Sequence, residues 1–218
     1  MLQLLCVDEA IRYPCPVRIL FFCAVLKLID SLISPAIKRR AATIANAVAL
    51  QLEQGQTVLD VGCGDLTVAQ RIIAEIDVTI TGIDTIDYNR TTLPHIIYDG
   101  SHFPVADASV DVVLFSFVLH HCTNQEELLR EAVRVSRHSV IILEDVCDSA
   151  ARRFVTKFYD FTANKLACAS IEVPYTFRST SEWQQAFDDN NLEITHRERL
   201  KTLLFNPCCQ VLFKLRKQ

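Results

Sequence analysis

The sequence predicts an α/β fold: a single-domain, three-layer sandwich around a mostly parallel sheet of seven strands, with a C-terminal antiparallel strand. Three observations carry this expectation. Between residues 57 and 143, continuous apolar runs alternate with segments of helical spacing, as in parallel strands covered on both faces. The five glycines (Gly55, Gly62, Gly64, Gly82, Gly100) all fall between residues 55 and 100. Average usage of about 7% would scatter roughly fifteen over the whole chain. Beyond Asp148, two more strand-like runs joined through Asn206-Pro207 read as an antiparallel pair that closes the sheet.

Each element follows from local pattern. Helical spacing runs from Ser34 to Leu52 and opens with Pro35 at the first helical position, where a missing N–H costs nothing. Strands are expected at Thr57–Val61, Val78–Ile83, Ile96–Asp99, Val110–Phe117 and Ser139–Leu143. Helices are expected at Val68–Ile76 and at Gln125–Val135, the latter with Glu126 and Arg130 four apart on one face. A long helix from Ala150 to Cys168 leads into the irregular segment Pro174-Tyr175-Thr176-Phe177-Arg178. A further helix follows, capped by Thr180 or Ser181. Leu192–Leu200 and Gln210–Leu215 supply the last two strands. Repeats, low-complexity tracts and linkers are absent from the sequence, so the 218 residues form one domain.

Composition narrows the function classes. Half of the residues are hydrophobic, the net charge is −4, and the basic residues are scattered. Nucleic-acid partners, which usually demand a basic stripe, are therefore not expected. Nine cysteines without a C-x-x-C pair spell out neither a zinc site nor a redox motif, and fit a reduced, cytoplasmic setting. The vicinal pair Cys208-Cys209 reads as a small-residue patch before the last strand. Residues 17–29 are strongly apolar, but Arg18, Lys27 and Asp30 keep the run far short of the ~20 residues that span a bilayer. Without a small-residue cleavage site after it, this stretch reads as a helix packed on the domain or lidding a pocket. Peripheral membrane contact through residues 17–29 is the alternative, because the first forty residues are the most basic part of the chain.

The chemistry is concentrated in Val58-Leu59-Asp60-Val61-Gly62-Cys63-Gly64-Asp65. An apolar strand ends in an acid, and two alternating glycines let backbone approach a ligand closely. The following helix offers free N–H groups and a positive end to a carboxylate. Asp60 would repel a pyrophosphate but attract a ligand carrying an ammonium and a sulfonium. Thr67 also breaks the six-residue dinucleotide pattern. The expected cofactor is therefore S-adenosylmethionine, leaving S-adenosylhomocysteine as product; an NAD-dependent reductase is disfavoured. Further acids stand at successive strand tips. Asp84 is suited to ribose hydroxyls, Asp99-Gly100 to an adenine amino group, and Ser116-Phe117 to the methionine part.

Val58–Ala69, Thr81–Asp84, Asp99–His121 and Glu127–Asp145 together resemble class I S-adenosylmethionine-dependent methyltransferases. The likeness is strongest to the small-molecule, type 11-like group. Its pattern reads here as Phe103-Pro104-Val105-Ala106-Asp107-Ala108-Ser109-Val110-Asp111-Val112-Val113, then Leu119-His120-His121. The resemblance covers roughly residues 55 to 146. It implies a Rossmann-like sheet, with an N-terminal helical segment or lid (1–53), a cofactor-binding half (54–147) and a substrate-binding half (148–218). Cofactor contacts would come from Asp60, Gly62, Gly64, Asp84, Asp99, Gly100, Ser116 and Phe117, and no metal is expected.

One position departs from the family. Leu66 stands where a third glycine is usual, so a side chain is expected to project at the methionine end. Either the turn has right-handed angles that tolerate it, or cofactor affinity falls. For the transfer step, the resemblance implies His121 or His120 as general base, with Asp145 orienting it. Tyr159, Phe161, Tyr175, Phe177 and Trp183 lie in the half where the family builds its substrate pocket, which points to a small hydrophobic acceptor. O-methylation is favoured, with C- or N-methylation as alternatives. Two rival readings stay open: a membrane-associated enzyme for a lipid or quinone precursor, and a non-catalytic binding protein on the same fold.

Overall fold

The computed structural model describes residues 35–167, 174–202 and 208–218, the side chains of 162–167 excepted. The apolar stretch 17–29, Cys6, Cys15, Cys23, Cys168 and the Asn206-Pro207 connection lie outside the described residues.

Helix α1 (35–49) precedes β1 (Thr57–Val61), α2 (Thr67–Glu75), β2 (Thr79–Asp84), β3 (His95–Ile97) and β4 (Val110–Ser116). A 3₁₀ turn (Leu119–His121), α3 (Gln125–Val135), β5 (Ser136–Asp145), α4 (Ala150–Ala167), α5 (Thr180–Asp189), β6 (Leu192–Leu200) and β7 (Gln210–Lys217) complete the order. The seven strands lie in the order β3-β2-β1-β4-β5-β7-β6. β1 to β5 pair in parallel, and β7 runs antiparallel between β5 and β6. The expected fold class is the observed one.

The period of two along each strand divides the core between the sheet faces. Val58, Ile80, Val112, Leu114, Ile141 and Leu143 pack under α1 and α2, with Ile44, Val48, Ala69 and Ile72. Leu59, Val61, Ile83, Val113, Phe115, Val140 and Ile142 pack under α3 and α5, with Leu128, Leu129, Trp183 and Phe187. Each such side chain contributes roughly 1.5–3 kcal/mol on burial. The same alternation decides where the acids at the strand ends point.

Some boundaries differ from expectation for local reasons. The third strand ends at Ile97, short of Asp99, because that carboxylate folds back on its own loop. Ser179, not Thr180 or Ser181, caps α5, in a reciprocal capping box with Glu182. β5 begins directly at the end of α3, and its register with β4 shifts between Val110 and Val112.

Candidate active site

The strand order reverses between β1 and β4, the switch point at which open α/β sheets bind ligands beyond their carboxyl ends. The turn after β1 is built on left-handed backbone, with φ of 66° at Gly62, 54° at Gly64 and 60° at Leu66. The two glycines serve different ends. A Cβ on Gly62 would stand 2.2 Å from Val118 Cγ2, whereas a Cβ on Gly64 would meet nothing within 4 Å. Gly64 therefore fronts open space, and its N–H donates to Asp84 Oδ2 at 2.9 Å. The other oxygen of Asp84 accepts from the N–H groups of Thr85 (2.7 Å) and Ile86 (3.3 Å). Asp84 is thus locked at the tip of β2.

Asp60 is 4% exposed. Burial, then the nearby Asp84 carboxylate, pushes its pKa up to about 7. Two acids beside open space, with no Cβ at Gly64 to fill it, fit a cationic ligand with a diol. That is the chemistry of S-adenosylmethionine.

Leu66 departs from expectation in two ways. Its turn is left-handed rather than right-handed, with φ 60° and ψ 13°. Its side chain is fully buried among Ile44, Ala69, Ile72 and Ile80 instead of facing the methionine end. Gly82 makes this possible, since a Cβ there would lie 2.7 Å from Leu66 Cδ2 and 2.6 Å from Cys63 Sγ. The Leu66 N–H donates to the Cys63 carbonyl at 3.1 Å, and so points at its own turn.

The remaining tips are mixed. Asp99 is exposed, and its Oδ1 accepts from Ser101 N–H (2.9 Å), Ser101 Oγ (3.1 Å) and His102 N–H (3.0 Å). The Ser101 N–H above all holds its pKa below the usual carboxylate range. Gly100, with φ 86°, gives its carbonyl to Asn124. Ser116 is half-buried at the end of β4. Phe117 has φ 57°, and its ring packs on the α1–α2 side with the Arg40 guanidinium 4.6 Å above it.

Beyond β4, the two histidines sit on the 3₁₀ turn. His120 is 2% exposed, and its Nδ1 lies 2.6 Å from Glu144 Oε2. Glu144 Oε1 accepts from the Leu119 N–H at 2.7 Å, which fixes the carboxylate. The expected orienting residue, Asp145, is not on the ring. Consecutive strand residues face opposite sides, so Glu144 falls on the α3 side with His120. Asp145 turns to the other side; burial, then the Glu144 charge, raises its pKa to about 6, and the charges of His120 and then Arg40 offset part of that rise. Asp145 Oδ1 finds no hydrogen-bond partner among the described residues.

His120 Nε2 faces Asp160 Oδ1 of α4 at 3.6 Å. Burial opposes a charge on His120, but Glu144 and Asp160 outweigh it and raise the pKa. Burial first, then the His120 charge, pushes His121 down to about 4. Phe177 stacks on His120 with ring centroids 4.7 Å apart, and His121 lies 4.1 Å away on the same measure. The irregular segment is clasped here. Thr176 N–H donates to the His120 carbonyl, Thr176 Oγ1 to the Cys122 carbonyl, and Gln125 Nε2 to Thr176 Oγ1. Asp160 and Gln125 escaped the sequence reading. Asp160 is one acid within an aromatic helical run, and Gln125 looks like any first-turn residue.

The sheet, in the order 3-2-1-4-5-7-6, carries an acid–glycine cradle at its switch point. Residues 59–143 match the family model described as a methyltransferase domain. The 27-O-demethylrifamycin SV methyltransferase of Amycolatopsis mediterranei (strain S699) is 32% identical over 101 residues, 40% of this chain and 37% of that protein. The match thus spans just over a third of the length of that curated relative. Among solved structures, a complex of the Haloferax volcanii Trm112 methyltransferase activator with a methyltransferase superposes with a TM-score of 0.67 at 15% identity. It covers 86% of this chain and 94% of that one. The geranyl diphosphate C-methyltransferase of Streptomyces coelicolor A3(2), with Mg2+, geranyl diphosphate and S-adenosyl-L-homocysteine, gives 0.62 at 11%, covering 80% and 78%. Over residues 59–143 the chain is thus similar to a methyltransferase domain, and its fold is that of these solved S-adenosylmethionine-dependent enzymes.

Proposed function

We propose that this chain transfers a methyl group from S-adenosylmethionine to an oxygen of a small, apolar acceptor. The observation that carries the reading is the buried His120–Glu144 pair at 2.6 Å, set beyond β4 and β5 in the same rim as the Asp60–Gly64–Asp84 cradle. When bound, the cofactor supplies a methyl group already activated by its sulfonium, so the protein's main task is alignment.

Asp60 would face the ammonium and Asp84 the ribose hydroxyls, while Asp99, Gly100, Ser116 and backbone at Phe117 would border the rest. His121 is the neutral imidazole of the pair, and takes the acceptor's proton as the new bond forms. Glu144 holds His120, and His120 with Phe177 holds the wall against which the acceptor lies. Exposed Phe154, Phe158 and Phe161 on α4, the helix that brings Asp160 to His120, favour an apolar acceptor. Oxygen as the acceptor atom is supported by the similarity to the 27-O-demethylrifamycin SV methyltransferase.

Calorimetric titration of the full chain with S-adenosylmethionine and S-adenosylhomocysteine, followed by methyl uptake into hydroxylated apolar compounds, tests the reading. Micromolar binding with O-methyl product is expected. Replacing both His120 and His121 by Ala should lower turnover at least 100-fold while cofactor affinity holds. Failure of both ligands to bind would overturn the enzyme reading in favour of a binding protein. Unchanged turnover in the double variant would remove the base role.

A further inference from the structure

The histidine pair has a third neighbour that methyl transfer as just described does not use. His120, His121 and Asp160 each offer one donor atom, and the three atoms lie within 4.8 Å of one another. We propose that these three residues form a binding site for a divalent transition-metal ion of the zinc type.

Four features of the cluster support it. The donors are two imidazole nitrogens and one carboxylate oxygen, the set that such ions take in three-ligand sites with an open fourth position. His120 Nε2 and His121 Nδ1 are both buried and find no hydrogen-bond partner among the described residues. His120 itself is 2% exposed, with Nε2 turned towards Asp160 Oδ1 at 3.6 Å. Buried polar atoms are ordinarily paired, so His121 Nδ1 without a hydrogen-bond partner among the described residues, beside His120 Nε2 with only the 3.6 Å ion pair to Asp160, points to a ligand. The outer arrangement fits as well. Glu144 accepts from His120 Nδ1–H, which leaves the Nε2 lone pair aimed at the site, the carboxylate–histidine–metal relay seen around metal ligands. Finally, the charges balance: once His120 releases a ring proton to solvent on coordination, two neutral imidazoles and the carboxylates of Glu144 and Asp160 together neutralise one divalent cation.

The dimensions are within reach. Donors on a tetrahedral ion at about 2.05 Å stand about 3.3 Å apart. The present spread of 3.6 to 4.8 Å therefore needs to close by roughly an ångström. Asp160 sits on α4, whose side chains beside it are largely solvent-facing, so its carboxylate can make that approach.

The role of such an ion rests on the methyl-transfer reading: an acceptor hydroxyl in the fourth position would lose its proton to solvent through coordination, without His121 as base. Binding of the ion does not rest on that reading. The test is titration of chelator-treated full chain with cobalt(II), followed by competition with zinc(II). One equivalent is expected, with the ligand-field absorption of tetrahedral cobalt and no thiolate charge-transfer band, since the proposed donors are two nitrogens and an oxygen. Asp160→Asn, at a side chain 17% exposed, should weaken binding at least 10-fold without lowering the unfolding temperature. Glu144→Gln should weaken it less.

Absence of binding, or a thiolate band that persists unchanged in Asp160→Asn, would overturn the site. S-adenosylmethionine titration of the same metal-free protein reports separately on the methyltransferase reading. Cofactor binding without cobalt binding would sink the metal site alone.

Discussion

At Asp60, binding and folding make opposite demands. The carboxylate is buried beside Asp84, and its pKa rises from an ordinary 3.8 to about 7. Below both values the group is neutral in the folded and unfolded chain and costs nothing. Above both, it is ionised in each, and folding bears the full cost of burying the charge, on the order of 4 kcal/mol. Stability contributed at this site therefore falls as pH rises through roughly 4 to 7. Asp60→Asn should stabilise the cofactor-free protein at pH 8 by a few kcal/mol, with a smaller gain at pH 5.5. Urea denaturation at the two pH values checks this. The same variant should lose cofactor affinity at least 10-fold, because the ammonium proposed to face Asp60 would lose its counter-charge. Equal stability of variant and parent at pH 8 would show that Asp60 is relieved by a contact already in the fold. The residue stood out in the sequence for its charge at a strand tip, but its cost did not, since that depends on how deeply the fold buries it and then on Asp84 arriving across the sheet.

At the scale of the element, the β1–α2 turn shows what sequence can and cannot give. The glycine spacing and the acid marked the turn, and the strand Thr57–Val61 and helix α3 fell where their periodicity set them. The placement of Leu66 was not legible, because it depends on Gly82, a residue of another strand whose missing Cβ leaves the room. The Glu144–Asp145 pair failed for a related reason. Two adjacent acids look equivalent in sequence, and only strand parity with respect to α3 assigns Glu144 to His120. The left-handed backbone at Leu66 costs roughly 1–2 kcal/mol, yet its fully buried side chain returns more, since truncating a buried Leu costs about 2–5 kcal/mol. Leu66→Gly, although it restores the family's usual residue, should therefore destabilise the protein by about 1–4 kcal/mol in urea titrations. Cofactor affinity should stay within about twofold, because the side chain faces the core. A large gain in affinity would mean that Leu66 does reach the methionine end.

Over the whole molecule, the parallel half was the more legible part, since buried parallel strands write continuous apolar runs that local pattern can find. The region after Asp148 was less so. Its helices and strands are visible, but the return of Thr176 and Phe177 onto His120 is a long-range contact without local signature. The cradle draws on β1, β2 and the turn between β1 and α2, so a ligand seated there should stabilise the domain as a unit. At about 100 times its dissociation constant, a ligand that binds only the folded state adds about 2.7 kcal/mol. For a chain of 218 residues that corresponds to a rise in Tm of roughly 5–11 °C. Asp84→Ala frees the N–H groups of Gly64, Thr85 and Ile86 and removes the acceptor proposed for the ribose. The variant should melt lower than the parent without ligand and show no rise with S-adenosylmethionine or S-adenosylhomocysteine. A lowered Tm that still climbs by the parent's increment would separate the two roles, leaving Asp84 as a clasp for the turn and assigning the ribose elsewhere on the rim.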